Sequence, residues 1–192
     1  MTRLILIPLL LILCSCAALY QPPKLHEGDG IKVEYEDQIK DWQERVKKEK
    51  WSEGLVDEVV QTCQVFVKYT TDMNPDYRWK NDYWFTPQEM INADFKGDCE
   101  DIGSLILGTL RKLNYPYGAR LLIVGTMLPA DHLLVKVELP DGRWKKYETV
   151  KLFMSEIDGL FYRPKIEFDE NHIWTYDRIG LARKRLANGM IE

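Results

Sequence analysis

The chain has 192 residues, 45% hydrophobic and 29% charged, with six Trp and ten Tyr, enough for one domain with a substantial core. Its formal charge of -4 and pI near 5.5 argue against a nucleic-acid partner held through phosphate contacts. No internal repeat or low-complexity tract is present.

The N-terminus, MTRLILIPLLLILCSC, carries one cation, Arg3, followed by an apolar run from Leu4 to Leu13. That run is short for a bilayer span but has the length of a signal-peptide core. Its end, Leu13-Cys14-Ser15-Cys16, resembles a bacterial lipoprotein box, with an aliphatic residue three before the acceptor and a small one directly before it. Cys14 in the penultimate place departs from that pattern. The resemblance implies a signal peptide over residues 1–16 and lipidation of Cys16, where each buried methylene of the acyl chains contributes about 0.8 kcal/mol of anchoring. Residues 17–34, with the Pro22-Pro23 pair, read as a tether, and residues 35–192 as the folded domain.

Within that domain, Ile39, Trp42 and Val46 recur at helical spacing in EDQIKDWQERVKKEKW. A stronger amphipathic helix follows, with Leu55, Val56, Val59, Val60, Cys63, Phe66 and Val67 on one face. Cys63 lies mid-stripe and reads as a small buried hydrophobe. In FTPQEMI, Thr86 as N-cap, Pro87 at the first helical position and Glu89 three residues after the cap predict a capping box. A further helix opens at GDCEDIGSLI and continues through Leu105, Ile106, Thr109, Leu110 and Leu113. The period then changes: GARLLIVGTM, DHLLVKVEL and GRWKKYETV read as strands, the last two joined by a turn at LPDGR. HIWTY reads as a short strand and YDRIGLARKRLA as a basic closing helix. Helices followed by an antiparallel sheet predict an α+β fold.

Cys99 begins a helix between three acids, Asp98, Glu100 and Asp101. Negative charge opposes thiolate formation. A helix N-terminus favours it, and an imidazolium alongside would favour it more. His132 opens a predicted strand and Glu148 lies on the next, where its carboxylate could accept a hydrogen bond from the far ring nitrogen and fix the tautomer. Asp98 can cap the helix. Each residue also has an ordinary structural use, Cys99 in the core, His132 at a strand edge and Glu148 on the surface.

The segments DYWFTPQEMINADFKGDCEDIGSLILGTLRKLNYP and DHLLVKVELPDGRWKKYETV resemble the transglutaminase-like papain superfamily, and more closely its bacterial transglutaminase-like cysteine proteases of the periplasmic adhesin-cleaving type. The resemblance covers about residues 54–150. It implies a papain/transglutaminase-like α+β fold, with the nucleophile at a helix N-terminus packed on an antiparallel sheet. It implies Cys99 as nucleophile, His132 as general base and acid, and Glu148 as the orienting acid where the family usually has Asp. Trp84 falls where related enzymes place an oxyanion-stabilising side chain, although an aromatic before a capped helix also serves packing. The acids flanking the cysteine bind calcium in the adhesin-cleaving relatives, which makes Asp98, Glu100 and Asp101 candidate calcium ligands; the chemistry itself requires no cofactor. Paired Cys or His motifs for zinc are absent, His26 and His172 standing apart. A disulfide between Cys63 and Cys99 would disable the enzyme.

The expected protein is a lipid-anchored cysteine peptidase of the bacterial cell envelope, on the periplasmic side and at the outer membrane. It would act on a protein or peptide through a thioester, with a regulatory protein as a further candidate partner. Transglutaminase-type acyl transfer is the alternative within the same chemistry. A catalytically silent lipoprotein binding module, or a calcium-sensing partner protein, is the alternative outside it.

Overall fold

The computed structural model describes residues 29–70, 84–126, 131–150, 162–177 and 182–186. The signal peptide, Cys16 and His26 lie outside the described residues. Among those described, no helix is long and apolar enough to cross a membrane.

Helix α1 (Asp29–Glu49) starts earlier than the tether reading predicted, because Ile31 and Tyr35 have apolar surface to bury and both are in the core. Helix α2 (Glu53–Phe66) opens on Ser52, whose side chain accepts from the backbone of Leu55. Trp42 Nε1 and Arg45 of α1 both donate to the Glu58 carboxylate of α2, which ties the two helices together. A short strand β1 (Lys68–Tyr69) then leads to helix α3 (Pro87–Asn92), where Thr86 and Glu89 form the predicted capping box.

Strand β2 (Lys96–Gly97) pairs parallel with β1, a pairing the sequence reading did not anticipate. The turn before it holds Asp94 and Phe95 at positive φ. Such backbone is costly for a bulky residue, and burial of the Phe95 ring against Tyr35 and Phe66 offsets the cost. Helix α4 (Cys99–Lys112) follows directly.

Six antiparallel strands form the main sheet, in the order β5-β4-β3-β6-β7-β8. They are β3 (Ala119–Gly125), β4 (Asp131–Glu138), β5 (Trp144–Glu148), β6 (Arg163–Phe168), β7 (His172–Tyr176) and β8 (Ala182–Leu186). The β4–β5 turn uses Gly142 at φ +84°, as the sequence LPDGR suggested. Within the closing helix predicted from YDRIGLARKRLA, Ala182–Leu186 form strand β8 instead, paired residue for residue with β7. Ladder hydrogen bonds to a ready sheet edge outweigh the helix propensity of five residues, and a strand rich in Lys and Arg suits an edge position.

One face of the sheet receives α4. A Cβ added at Gly103 would meet Leu133 Cδ2 at 2.3 Å and Leu121 Cδ2 at 3.3 Å, so the helix backbone at Gly103 rests directly on these two side chains of the sheet. The main core fills this layer together with α1 and α2. At its centre Tyr35 Oη and Thr109 Oγ1 lie 2.7 Å apart, and the Cys63 thiol donates to the same Thr109 oxygen. The opposite face holds a smaller cluster, Leu122, Val124 and Leu134, packed by Tyr162 and Tyr176.

Candidate active site

The start of α4 is built around Asp101. Its Oδ1 accepts from the backbone N–H of Phe85 at 2.8 Å, and its Oδ2 from that of Asp98 at 3.2 Å. Asp101 is fully buried, and its carboxylate folds back over Gly97, where an added Cβ would meet Oδ2 at 2.4 Å. The Gly-Asp-Cys run thus has a steric reason: glycine leaves room for the acid that fastens the helix start to the segment before α3. Asp98 is the N-cap residue. Asp98, Cys99 and Glu100 each bring one potential ligand atom within 4.8 Å of the others, and Asp101 is outside that cluster.

The Cys99 thiol donates to Glu100 Oε2 at 3.1 Å. Burial pushes this thiol up, the charge of Glu100 and its acceptance of the thiol hydrogen bond push it further, and the charge of Asp98 adds to them; the backbone N–H of Leu133 acts in the opposite direction by favouring the thiolate. That amide is open to the sulfur because the β4–β5 ladder ends at Leu134 opposite Glu148. Cys99 therefore lies against the main chain one residue past His132. The thiol is bonded to Glu100, however, and not to the imidazole.

His132 and Glu148 come together on adjacent strands. Leu133 faces α4, so the alternation of β4 turns His132 and Leu134 to the other face. Glu148 sits opposite Leu134 and shares that face. His132 Nε2 hydrogen-bonds Glu148 Oε1. A carboxylate bond at Nε2 keeps the proton there and leaves Nδ1 of a neutral ring as an acceptor. The longer arm of Glu reaches the ring where the resembled family has Asp.

Three further residues belong to this surrounding and carried no motif. Tyr162 donates to Glu148 Oε2 at 3.1 Å, and its ring centroid lies 5.9 Å from that of His132. Gln64 of α2 donates to the backbone carbonyl of Glu148, fixing the end of β5. Tyr69, paired with Gly97, has its phenol pushed up to about 12, first by burial and then by the charges of Cys99, Asp98 and Glu100. Only its proximity to that cluster produces such a cause, and folding alone creates it.

Trp84 packs against Phe168, the rings tilted by 41° with centroids 5.7 Å apart. It lines a cleft of about 360 Å³ with Phe85, Pro87, Leu107 and Arg111; Cys99 is not among the cleft's lining residues. Cys63 and Cys99 are both free thiols. His172 bonds Asp169 through its ring and backbone nitrogens.

No family model matches the sequence, and no curated protein matches it. Solved structures do. LapG from Legionella pneumophila in a calcium-bound form superposes with a TM-score of 0.59 at 20% identity, covering 88% of this chain and 92% of that one. An EGTA-treated form of LapG gives 0.59 at 21% identity, covering 88% and 86%. In its helical layer, its antiparallel sheet and the helix that begins at Cys99, the chain has the α+β fold of LapG.

Proposed function

We propose that this chain is a cell-envelope cysteine peptidase, anchored through Cys16 on the periplasmic side of the outer membrane, with a protein or peptide as substrate. Cys99 is its nucleophile, His132 its general base and acid, and Glu148 the acid that orients His132. One observation carries the reading: the imidazole of His132 is bonded through Nε2 to Glu148 on the next strand, and the backbone N–H of the following residue, Leu133, faces the sulfur of the cysteine that begins α4. Nδ1 takes the thiol proton, and sulfur attacks the carbonyl carbon. The tetrahedral oxyanion forms near the positive end of α4, whose backbone N–H groups point toward its start. Collapse releases the amine, protonated by His132, and leaves a thioester. Water activated by the same ring then releases the acid. An amine in place of water would give transamidation.

Before that sequence begins, the thiol must turn from Glu100 toward His132. A cation suits this place: Asp98 and Glu100 present hard carboxylate oxygens close together, of the kind calcium prefers. Asp101 has both oxygens on backbone amides and serves the scaffold. Calcium held by Asp98 and Glu100 would neutralise the charge beside the sulfur. A solved LapG structure is calcium-bound, which supports the same reading here.

The bond from Cys99 to Glu100 favours a second reading, a silent binding module with this fold. Alkylation by iodoacetamide at mildly acidic pH separates the two. The peptidase predicts that Cys99 labels much faster than Cys63, and that cleavage of cell-envelope proteins disappears in Cys99→Ala. Equally slow labelling of both thiols supports the silent module. For the anchor, Cys16→Ala should move the protein from the detergent phase to the aqueous phase.

A further inference from the structure

Glu148 is the longest carboxylate that could serve His132, and its length has a consequence. Glu has one more rotatable bond than Asp, so a single hydrogen bond at Oε1 leaves the group free to swing. The structure supplies two further restraints. The backbone N–H of Thr149 donates to Oε1 at 3.1 Å, and Tyr162 Oη donates to Oε2 at 3.1 Å. Tyr162 also lies against the imidazole itself, its ring tilted 39° with centroids 5.9 Å apart. One side chain thus touches both the ring and the acid that orients it.

Tyr162 does not come from the strands that carry either partner. It immediately precedes β6, which pairs with β3 on the side away from β5. Its ring spans the gap by packing on Leu122, Val124 and Leu134. Those three residues are almost fully buried, so the platform beneath the ring is rigid. A tyrosine needed only for packing would not require its hydroxyl on a carboxylate already engaged by an imidazole.

We propose that Tyr162 is a positioning residue: it holds the Glu148 carboxylate and the His132 ring in one arrangement and thereby keeps the proton on Nε2. The inference rests on the peptidase reading for its consequence in catalysis, but not for the geometry it asserts.

The test uses the full chain and Tyr162→Phe, with Tyr162→Leu as a second variant that also removes the ring. Nitrogen-15 NMR of the His132 ring reports which nitrogen carries the proton. In the wild type the Nε2–H signature should dominate. In Tyr162→Phe it should give way to a mixture, at an essentially unchanged melting temperature, and alkylation of Cys99 should slow about tenfold, the worth of one hydrogen bond to a charged group. Tyr162→Leu should lose the signature further. An unchanged ring signature in both variants overturns the proposal. If wild-type Cys99 labels no faster than Cys63, the peptidase reading fails, and the ring signature still decides whether Tyr162 positions His132.

Discussion

Cys99 stands where burial and the Glu100 carboxylate keep its proton on sulfur, and the groups that could reverse this are His132 and the helix start. If the triad operates, Glu148→Gln should lower kcat/KM by on the order of a hundredfold or more, because an amide cannot stabilise the imidazolium; steady-state cleavage assays beside a melting curve check this. Cys63 differs from Cys99 in kind. Burial alone drives its thiol up to about 12 from the ordinary 9.0. Its folded value exceeds its unfolded value, so the stability it contributes is intact below about pH 9 and is lost as the pH climbs toward 12. Denaturant titrations from pH 8 to 11 should therefore show a steeper alkaline decline in the wild type than in Cys63→Ala. The two thiols were separable in the sequence because one lies in an apolar stripe and the other opens a helix among acids. Tyr162, Tyr69 and Gln64 were not, since each reaches the site from a segment whose place only folding sets.

At the scale of elements, the contact between α4 and the sheet decides where the sulfur lies. Gly103→Ala would drive a methyl group into Leu133. It should cost roughly 1–3 kcal/mol of stability, as overpacking does, and should slow Cys99 labelling by moving the helix start from the Leu133 amide. Chemical denaturation and alkylation rates measure the two effects separately. Thr86→Ala, which removes the cap of α3, should cost about 1 kcal/mol and leave the site's chemistry in place. The four helices and the hairpin of β4 and β5 were legible because their signals are local: caps, apolar periodicity and a turn glycine. Strands β1, β2 and β8 were not. Two-residue strands carry no period, and the segment that became β8 has a composition equally suited to a helix; the free edge of β7 made the choice.

Across the whole molecule, a charged cluster braces the outer face of the sheet. Glu167, 1% exposed, accepts from Arg120, Lys136 and Tyr176, and the Arg120 guanidinium lies between the rings of Trp144 and Trp174. Burial raises the Glu167 carboxyl, but its hydrogen bonds outweigh that and hold it below 4.5. Its stabilising effect is therefore present above that pH and lost as the pH falls through the folded value. Glu167→Ala should destabilise the fold by about 3–5 kcal/mol, because it leaves two cations facing a buried gap, and calorimetry reads that directly. Calcium should raise the melting temperature of the wild type, and the rise should vanish in Asp98→Ala. The sequence by itself determined the helices and the order of the motifs along the chain, because local periodicity and residue chemistry encode them. Only the tertiary structure decided that the thiol rests on Glu100, that Tyr162 reaches Glu148 and His132, and that the basic tail is a strand. Those outcomes depend on which distant segments share a sheet face or an edge, and no short window of residues contains that information.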